Sequence, residues 1–305
     1  MKKNILVIGG SYFVGRVFTM TLSKEGDYNV HLLNRGTYRL SKLGIEEHIC
    51  DRNDIFKLKE VVPPLDYHAV IDFCAYSPNE INTIIENLPG TIKQYIYVST
   101  CSVYETTLEF PKTENSPQIS VPIPGPAGDY AYNKHLLELE TQDVCQKYNI
   151  PFTILRPAFI YGPFNYAPRE SYFFKLILAD QPIPVPDEPL ALFQFVYATD
   201  IARIIMACLS NENVYNNSFN LSAPELICYD RLIEVLTEVC GQKIKPERKS
   251  IDQINRDNIP LPFPLDQHEI YSGSKIANLL DFKYTSFVEG MKKTFAFYKK
   301  YKVSN

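Results

Sequence analysis

Apolar residues fall along this chain in short unbroken runs, separated by stretches where they recur every three or four positions. The first run is Ile5-Leu6-Val7-Ile8. A run without polar alternation is what a strand buried on both faces of a parallel sheet produces. Gly9-Gly10 then permit a sharp turn, and Gly15 lets a helix pack close to the strand it has left. Val14, Val17, Phe18 and Leu22 share one helical face, which predicts a helix after Gly15 to about Glu25, stopped by Gly26-Asp27. The alternation continues with a strand over Asn29–Leu33, a short strand near Glu47–Cys50, a strand over Ala69–Phe73 and a helix over Asn79–Asn87 ended by Pro89-Gly90. A fifth strand, Gln94–Val98, is followed by a proline-rich irregular stretch from Pro111 to Pro126, a helix opened by Tyr130 and running to about Tyr148, and a sixth strand from Ile154. Strands and helices in strict alternation predict an α/β fold, a Rossmann-type doubly wound parallel sheet. Helices near Tyr229–Cys240 and Phe287–Tyr301 complete a smaller C-terminal substrate-binding lobe. Residues 1–160 with about 190–222 form the dinucleotide-binding domain, and about 161–189 with 223–305 form the lobe.

Composition narrows the class. The 305 residues, 45% hydrophobic and 22% charged, suit an ordinary soluble protein. A formal charge of -4 offers no electrostatic footprint for nucleic acid, and the lysines near the C-terminus (Lys292, Lys293, Lys299, Lys300, Lys302) read as a solvated face. No apolar run reaches the ~18 residues of a membrane span, and the segment after Lys2-Lys3 is too short for a signal peptide. Seven cysteines without a C-x-x-C pair read as reduced, mostly buried thiols, hence a cytoplasmic location. The five histidines are scattered, and none falls at ligand spacing with cysteine or carboxylate, so no metal is expected.

The candidate chemistry gathers where an open α/β sheet puts it, at the carboxyl ends of strands. Strand, glycine turn and helix together aim a helix N-terminus at whatever lies above the sheet, an arrangement suited to a pyrophosphate. Gly9, Gly10, Ser11, Tyr12, Phe13, Val14 and Gly15 are its candidate residues. At the end of the second strand a carboxylate would bind the 2′-hydroxyl of NAD; Asn34-Arg35, with Thr37 and Arg39 nearby, instead suggest a clamp for the 2′-phosphate of NADP, or else a solvated basic turn. Asp51 could accept from the adenine amino group or simply cap the next helix, a role Asp54 fills as well. Arg52, Phe73, Cys74, Ala75, Ser99 and Pro157 complete the expected cofactor wall. The fifth strand delivers Ser99-Thr100-Cys101-Ser102-Val103-Tyr104. Tyr130 and Lys134 lie four apart on one helical face, where an ammonium favours the phenolate and so lowers the phenol's pKa. The same spacing at Tyr38/Lys42, Tyr271/Lys275 and Tyr298/Lys302 lacks a hydroxyl-bearing strand end before it, so position selects the Tyr130 pair.

In these features the chain resembles the extended short-chain dehydrogenase/reductases, also called the NAD-dependent epimerase/dehydratase family. The resemblance is carried by the glycine turn, the Ser99–Tyr104 strand end, Tyr130/Lys134, Ile154–Pro163 as the sixth strand with its following loop, Phe195–Ala202 as the return segment and Ser274–Lys300 as a closing amphipathic helix. It implies that Tyr130 is the general acid/base, that Thr100 holds the substrate oxygen, and that Lys134 binds the nicotinamide ribose and tunes the tyrosine. It also implies NADP or NAD as cofactor, a small-molecule substrate and a homodimer. Ser102, Tyr104, Phe159, Arg169 and Gln194 are the candidate substrate contacts, Arg169 for an anionic group.

Three departures from the family pattern bear on the substrate. The middle glycine of the turn is Tyr12; Phe159 stands where nucleotide-sugar members carry an asparagine; and Phe193-Gln194 stand where they carry an arginine for the nucleotide's pyrophosphate. Without the amide and the arginine, most of the polar grip on a nucleotide diphosphate is gone. Phe13, Gly15 and Asn34-Arg35-Gly36 match the family's atypical branch, which holds reductases or epimerases of unknown substrate and chloroplast stem-loop RNA-binding proteins. Because Tyr130 and Lys134 are both kept, the expected function is an oxidoreductase acting on a secondary alcohol or carbonyl of a sugar or sugar-derived metabolite. A nucleotide-sugar 4-epimerase and a non-enzymatic cofactor- or RNA-binding protein are the alternatives; a dehydratase ranks lowest, since Cys101-Ser102 supply no carboxylate.

Overall fold

The computed structural model describes residues 2–40, 43–188 and 190–302; Lys42 of the Tyr38/Lys42 pair and the side chain of Lys302 lie outside it. The first half builds the expected alternation: β1 (Lys3–Ile8), α1 (Phe13–Leu22), β2 (Tyr28–Asn34), β3 (Glu46–Ile49), α2 (Ile55–Val61), β4 (Leu65–Asp72), α3 (Glu80–Asn87), β5 (Gly90–Ile92), β6 (Tyr95–Val98), α4 (Pro126–Lys147) and β7 (Phe152–Pro157). β8 (Phe159–Tyr161), α5 (Glu170–Leu178), β9 (Ile183–Pro186), β10 (Phe195–Tyr197), α6 (Ala198–Cys208) and β11 (Asn217–Leu221) follow. The chain closes with α7 (Tyr229–Cys240), β12 (Pro246–Lys249), α8 (Ile251–Arg256), α9 (Ser274–Leu280) and α10 (Phe287–Lys302).

The main sheet has the order β11-β7-β6-β4-β1-β2-β3, with β5 added to β4, and every pair in it is parallel. The chain winds outward from β1 through β2 and β3, then returns to lay β4 on the other side of β1. That reversal opens a crevice beyond the carboxyl ends of β1 and β4, where ligands bind in doubly wound sheets. Because strands inside such a sheet meet helices on both faces, Ile5 and Val7 pack into one apolar layer with α1 and α6, and Leu6 and Ile8 into the opposite layer with α2, α3 and α4. A third cluster, rich in aromatics (Phe173, Phe174, Phe193, Phe195, Phe263, Phe287), forms the C-terminal lobe.

Three expectations change. The helix carrying Tyr130 begins at Pro126, because Gly125 at φ 98° and a proline in the first helical position set its start; Tyr130 therefore lies in the second turn. The closing amphipathic segment is two helices, broken at Asp281 in a left-handed conformation, and Ile276 of α9 packs into the α1/α6 layer instead of the lobe. The scattered histidines do not stay apart: pairing of β2 with β3 brings His31, Glu46 and His48 together. Among the described residues no helix is long and apolar enough to cross a membrane.

Candidate functional site

The glycine turn is a cradle whose glycines are dictated by contact. A Cβ on Gly9, at φ +76°, would lie 2.7 Å from the Cβ of Cys74, and one on Gly15 would lie 2.7 Å from the Gly9 carbonyl oxygen. Tyr12 needs no such freedom: its backbone is extended (φ -133°, ψ 144°), while the left-handed turn falls on Phe13 at φ 38°. The Tyr12 ring is sandwiched between Tyr38 (centroids 4.9 Å apart) and Tyr166 (4.8 Å). It also lines a cavity of about 390 Å³ bordered by Arg16, Phe164, Glu170 and Phe297, whose lining includes neither Tyr130 nor Lys134. The N-terminus of α1 has neither a side-chain cap nor an acidic residue in its first turn, so its amides stay available to an anion. Ser11, Val14 and Phe13 are buried around that end.

At the end of β2, Asn34 turns its side chain onto the chain itself. Its Oδ1 accepts from the Gly36 amide, and its Nδ2 donates to Glu47. Arg35 is exposed and makes no ion pair with a described residue, whereas Arg39 is paired with Glu47 at 2.7 Å. Glu47, which the sequence reading did not single out, is a carboxylate beside the ribose-reading position, held below the usual carboxylate range chiefly by Arg39 and the Leu40 amide against the opposing effect of burial. Asp51 only accepts from the Asn53 amide, and Asp54 caps α2 through the Lys57 amide, which is the plainer of the two readings for this turn. Arg52 departs from its expected role. Its guanidinium is buried and forked onto Asp72 (2.8 and 2.7 Å) and also donates to the Glu80 carbonyl. Asp72 accepts in turn from Tyr95 (2.6 Å) and from the Cys74 amide (3.0 Å), so the ion pair fixes the Phe73-Cys74-Ala75 segment under the glycine turn.

β6 and α4 carry the reactive hydroxyls. Ser99 is buried and its Oγ has no partner among the described residues. Thr100 caps the 3-10 turn over Cys101–Val103 by accepting from the Ser102 amide, and its hydroxyl donates to Ser102 Oγ (3.2 Å). Lys134 is 2% exposed and donates to the carbonyls of Val98 (2.9 Å) and Ala75 (3.1 Å), beneath the rings of Tyr97 and Tyr76. Burial pulls its ammonium down to about 8. The expected lowering of the Tyr130 phenol by Lys134 is not seen. Burial pushes that phenol up, and only a hydrogen bond with Thr100 and the charge of Arg169 oppose it. Tyr130 is 40% exposed, its ring beside that of Tyr76. Pro157 ends β7.

Beneath these groups lies a buried network that sequence reasoning missed. Glu138, one turn after Lys134, is 1% exposed and receives Arg156 through Nε (3.0 Å) and Nη2 (2.6 Å). Arg156 also donates to Tyr104, whose hydroxyl donates to Asn220 (2.6 Å). Tyr104 is therefore committed to tying the Cys101–Val103 turn to α4, β7 and β11, and is not free for substrate. Gln194 is likewise committed, donating to Ala223 and accepting from the Tyr271 amide. Ser102 is exposed. Phe159 packs against Phe193, Phe195 and Phe263, with Arg169 over its ring and hydrogen-bonded to the Ile160 carbonyl.

The parallel, doubly wound sheet agrees with sequence comparison. The sequence model described as "NAD dependent epimerase/dehydratase family" matches residues 5–222. The chain belongs to that family. It is thus an NAD-dependent enzyme of the short-chain dehydrogenase type, and its fold is the epimerase fold. It is similar to the chloroplast stem-loop binding protein of 41 kDa b of Arabidopsis thaliana, 29% identical over 300 residues, covering 92% of this chain and 75% of that protein. The dTDP-D-glucose 4,6-dehydratase of Mus musculus is 24% identical over 335 residues, covering 98% and 89%. Among solved structures, a UDP-glucose 4-epimerase of Thermotoga maritima with UDP-glucose superposes with a TM-score of 0.78 at 19% identity, covering 97% of this chain and 99% of that one. A dinucleotide fits the residues present: the uncapped α1 terminus, the Gly9/Gly15 cradle and the partnerless Ser99 hydroxyl all lie along one crevice.

Proposed function

We propose that this family member oxidises or reduces a secondary alcohol or carbonyl on a sugar-derived metabolite, with NADP preferred over NAD. The observation that carries the reading is the grouping at the carboxyl end of β6: Thr100, the buried Lys134 bonded to the Val98 carbonyl, and Tyr130 one helical turn before it on α4. A bound nicotinamide would supply or accept the hydride. In the reductive direction the Tyr130 phenol gives its proton to the carbonyl oxygen as the hydride adds to carbon, leaving a phenolate; oxidation starts from that phenolate and reverses both transfers. Thr100 orients the substrate oxygen, and Lys134 holds a buried positive charge one helical turn away that favours a ribose hydroxyl. Arg169, whose charge is felt at Tyr130, would meet an anionic substituent.

Support for NADP comes from the exposed, unpaired Arg35 next to a Glu47 already occupied by Arg39. Arg35→Glu should weaken NADPH at least tenfold and change NADH by no more than a few-fold, since a charge-assisted phosphate contact is worth about 1.5–3 kcal/mol. Fluorescence titration of both cofactors checks this, and a tenfold preference of the unaltered protein for NADH overturns the clamp.

Nucleotide-sugar 4-epimerisation is the rival chemistry. Against it stand Phe159 and Phe193, packed with Phe263 in an aromatic core where a polar grip on a diphosphate belongs. Thermal-shift titration with UDP- and dTDP-sugars should give no stabilisation; a clear shift with one of them reverses the preference. The similarity to a stem-loop binding protein favours RNA binding as a second reading. A gel shift with structured RNA that survives physiological salt would support it, against a net charge of -4.

A further inference from the structure

The geometry points to a divalent transition-metal site on the β2–β3 edge of the sheet, formed by His31, Glu46 and His48 and separate from the dinucleotide crevice. Side chains two apart on a strand share a face, so His31 on β2 and both Glu46 and His48 on β3 project to the same side, with His31 directly opposite Glu46 in register. His31 Nδ1 and His48 Nε2 are 3.1 Å apart. Glu46 Oε2 lies 3.6 Å from the former and Glu46 Oε1 3.8 Å from the latter. Ligands about 2.0–2.1 Å from one tetrahedral ion are separated by roughly 3.3–3.4 Å, a value that the His31–His48 and His31–Glu46 separations bracket, and a turn of the carboxylate presents one oxygen to both rings. The two nitrogens now face each other across a hydrogen bond, so an ion replaces the shared proton once both rings turn toward Glu46.

Burial and exposure also support ligation over a plain histidine pair. Both imidazoles are buried, 3% and 6% exposed. Glu46 is the exposed member, its side chain 63% accessible, and leaves the fourth position to water. Two imidazoles, one carboxylate and a water suit Zn²⁺ or Co²⁺. Bound there, the ion staples the edge strand β3 to β2, a structural role that needs no cofactor.

The test uses tag-free, EDTA-treated full-length protein titrated with ZnCl₂ by calorimetry, with Tm followed in parallel. The expected result is one saturable equivalent in the micromolar range or tighter. Tm should rise by about 5 °C at a hundredfold excess over Kd. Binding should be lost in His48→Gln and weakened at least about tenfold in Glu46→Gln, an exposed substitution that leaves the fold intact. Zinc held by cysteines would be untouched by either change. Absence of a saturable equivalent in the unaltered protein, or wild-type binding in both variants, overturns the site.

Discussion

Tyr130→Phe is expected to lower kcat/KM by about 10³-fold, within the 10²–10⁴ range of a lost general acid/base. The substitution removes one oxygen and little else. The Phe ring keeps the place of the tyrosine beside Tyr76, α4 is unchanged, and Lys134 stays bonded to Val98 and Ala75. Cofactor affinity and urea midpoint should therefore match the unaltered protein, which separates lost chemistry from lost folding. Thr100→Ala should act in the same direction but less strongly, since it removes the orienting hydroxyl and leaves the proton carrier. Steady-state kinetics with a turned-over substrate decide the matter. If Tyr130→Phe kept activity within a few-fold, the phenol would not be the proton carrier, and the enzymatic assignment would fail at its centre.

Asp72→Ala is expected to cost about 3–5 kcal/mol of stability, the penalty for leaving a buried charge without its partner. Arg52 is nine-tenths or more buried and places both terminal nitrogens on that carboxylate, while Tyr95 and the Cys74 amide lose their acceptor at the same time. Against a total of 5–15 kcal/mol for a typical domain, that loss leaves a marginal protein. Cofactor affinity should fall as well, because Cys74 packs directly on Gly9. Asp72→Ala combined with Arg52→Met should recover much of the loss, since an apolar pair replaces a buried ion pair at little cost. The pH dependence has a definite sign. Although burial alone raises the carboxyl, Arg52 and the hydrogen bonds win and hold Asp72 below the ordinary carboxylate range. A group depressed in the folded state stabilises above its unfolded pKa of about 3.9 and loses that contribution as pH falls through the folded value. Urea unfolding between neutral and acid pH should thus show a steeper loss of stability in the unaltered protein than in the double variant, which keeps only the share of other depressed carboxylates such as Glu47. An Asp72→Ala protein within 1 kcal/mol of the original would mean that solvent reaches Arg52.

How much was legible beforehand can be judged residue by residue. The β1 run, the three retained glycines and the strand-end hydroxyls announced a dinucleotide fold and a family, because buried parallel strands and phosphate turns constrain residue type locally. Tyr130 and Lys134 were selected by position, and folding buries Lys134 against the Val98 and Ala75 carbonyls. Arg52 and Tyr104 were placed in the site by proximity in sequence to strand ends, and Gln194 by its place before the return segment. Folding commits each of them elsewhere, since a buried polar side chain takes the nearest compensating partner whatever its place in the chain. A lone carboxylate in the apolar stretch Ala69–Phe73 was the one available sign that a cation must come to meet Asp72.

The sequence by itself determined the alternating architecture, the family and the types of the reacting groups. These follow from short-range rules: period, turn chemistry and spacing on one helix. Tertiary structure alone decided which charges are used up inside the protein, that Tyr12 stacks between Tyr38 and Tyr166, that Lys134 lies under a lid of two tyrosine rings, and that His31 meets His48. Each of these depends on strand register and layer packing, which join residues 15 to 150 positions apart and leave no trace in local pattern.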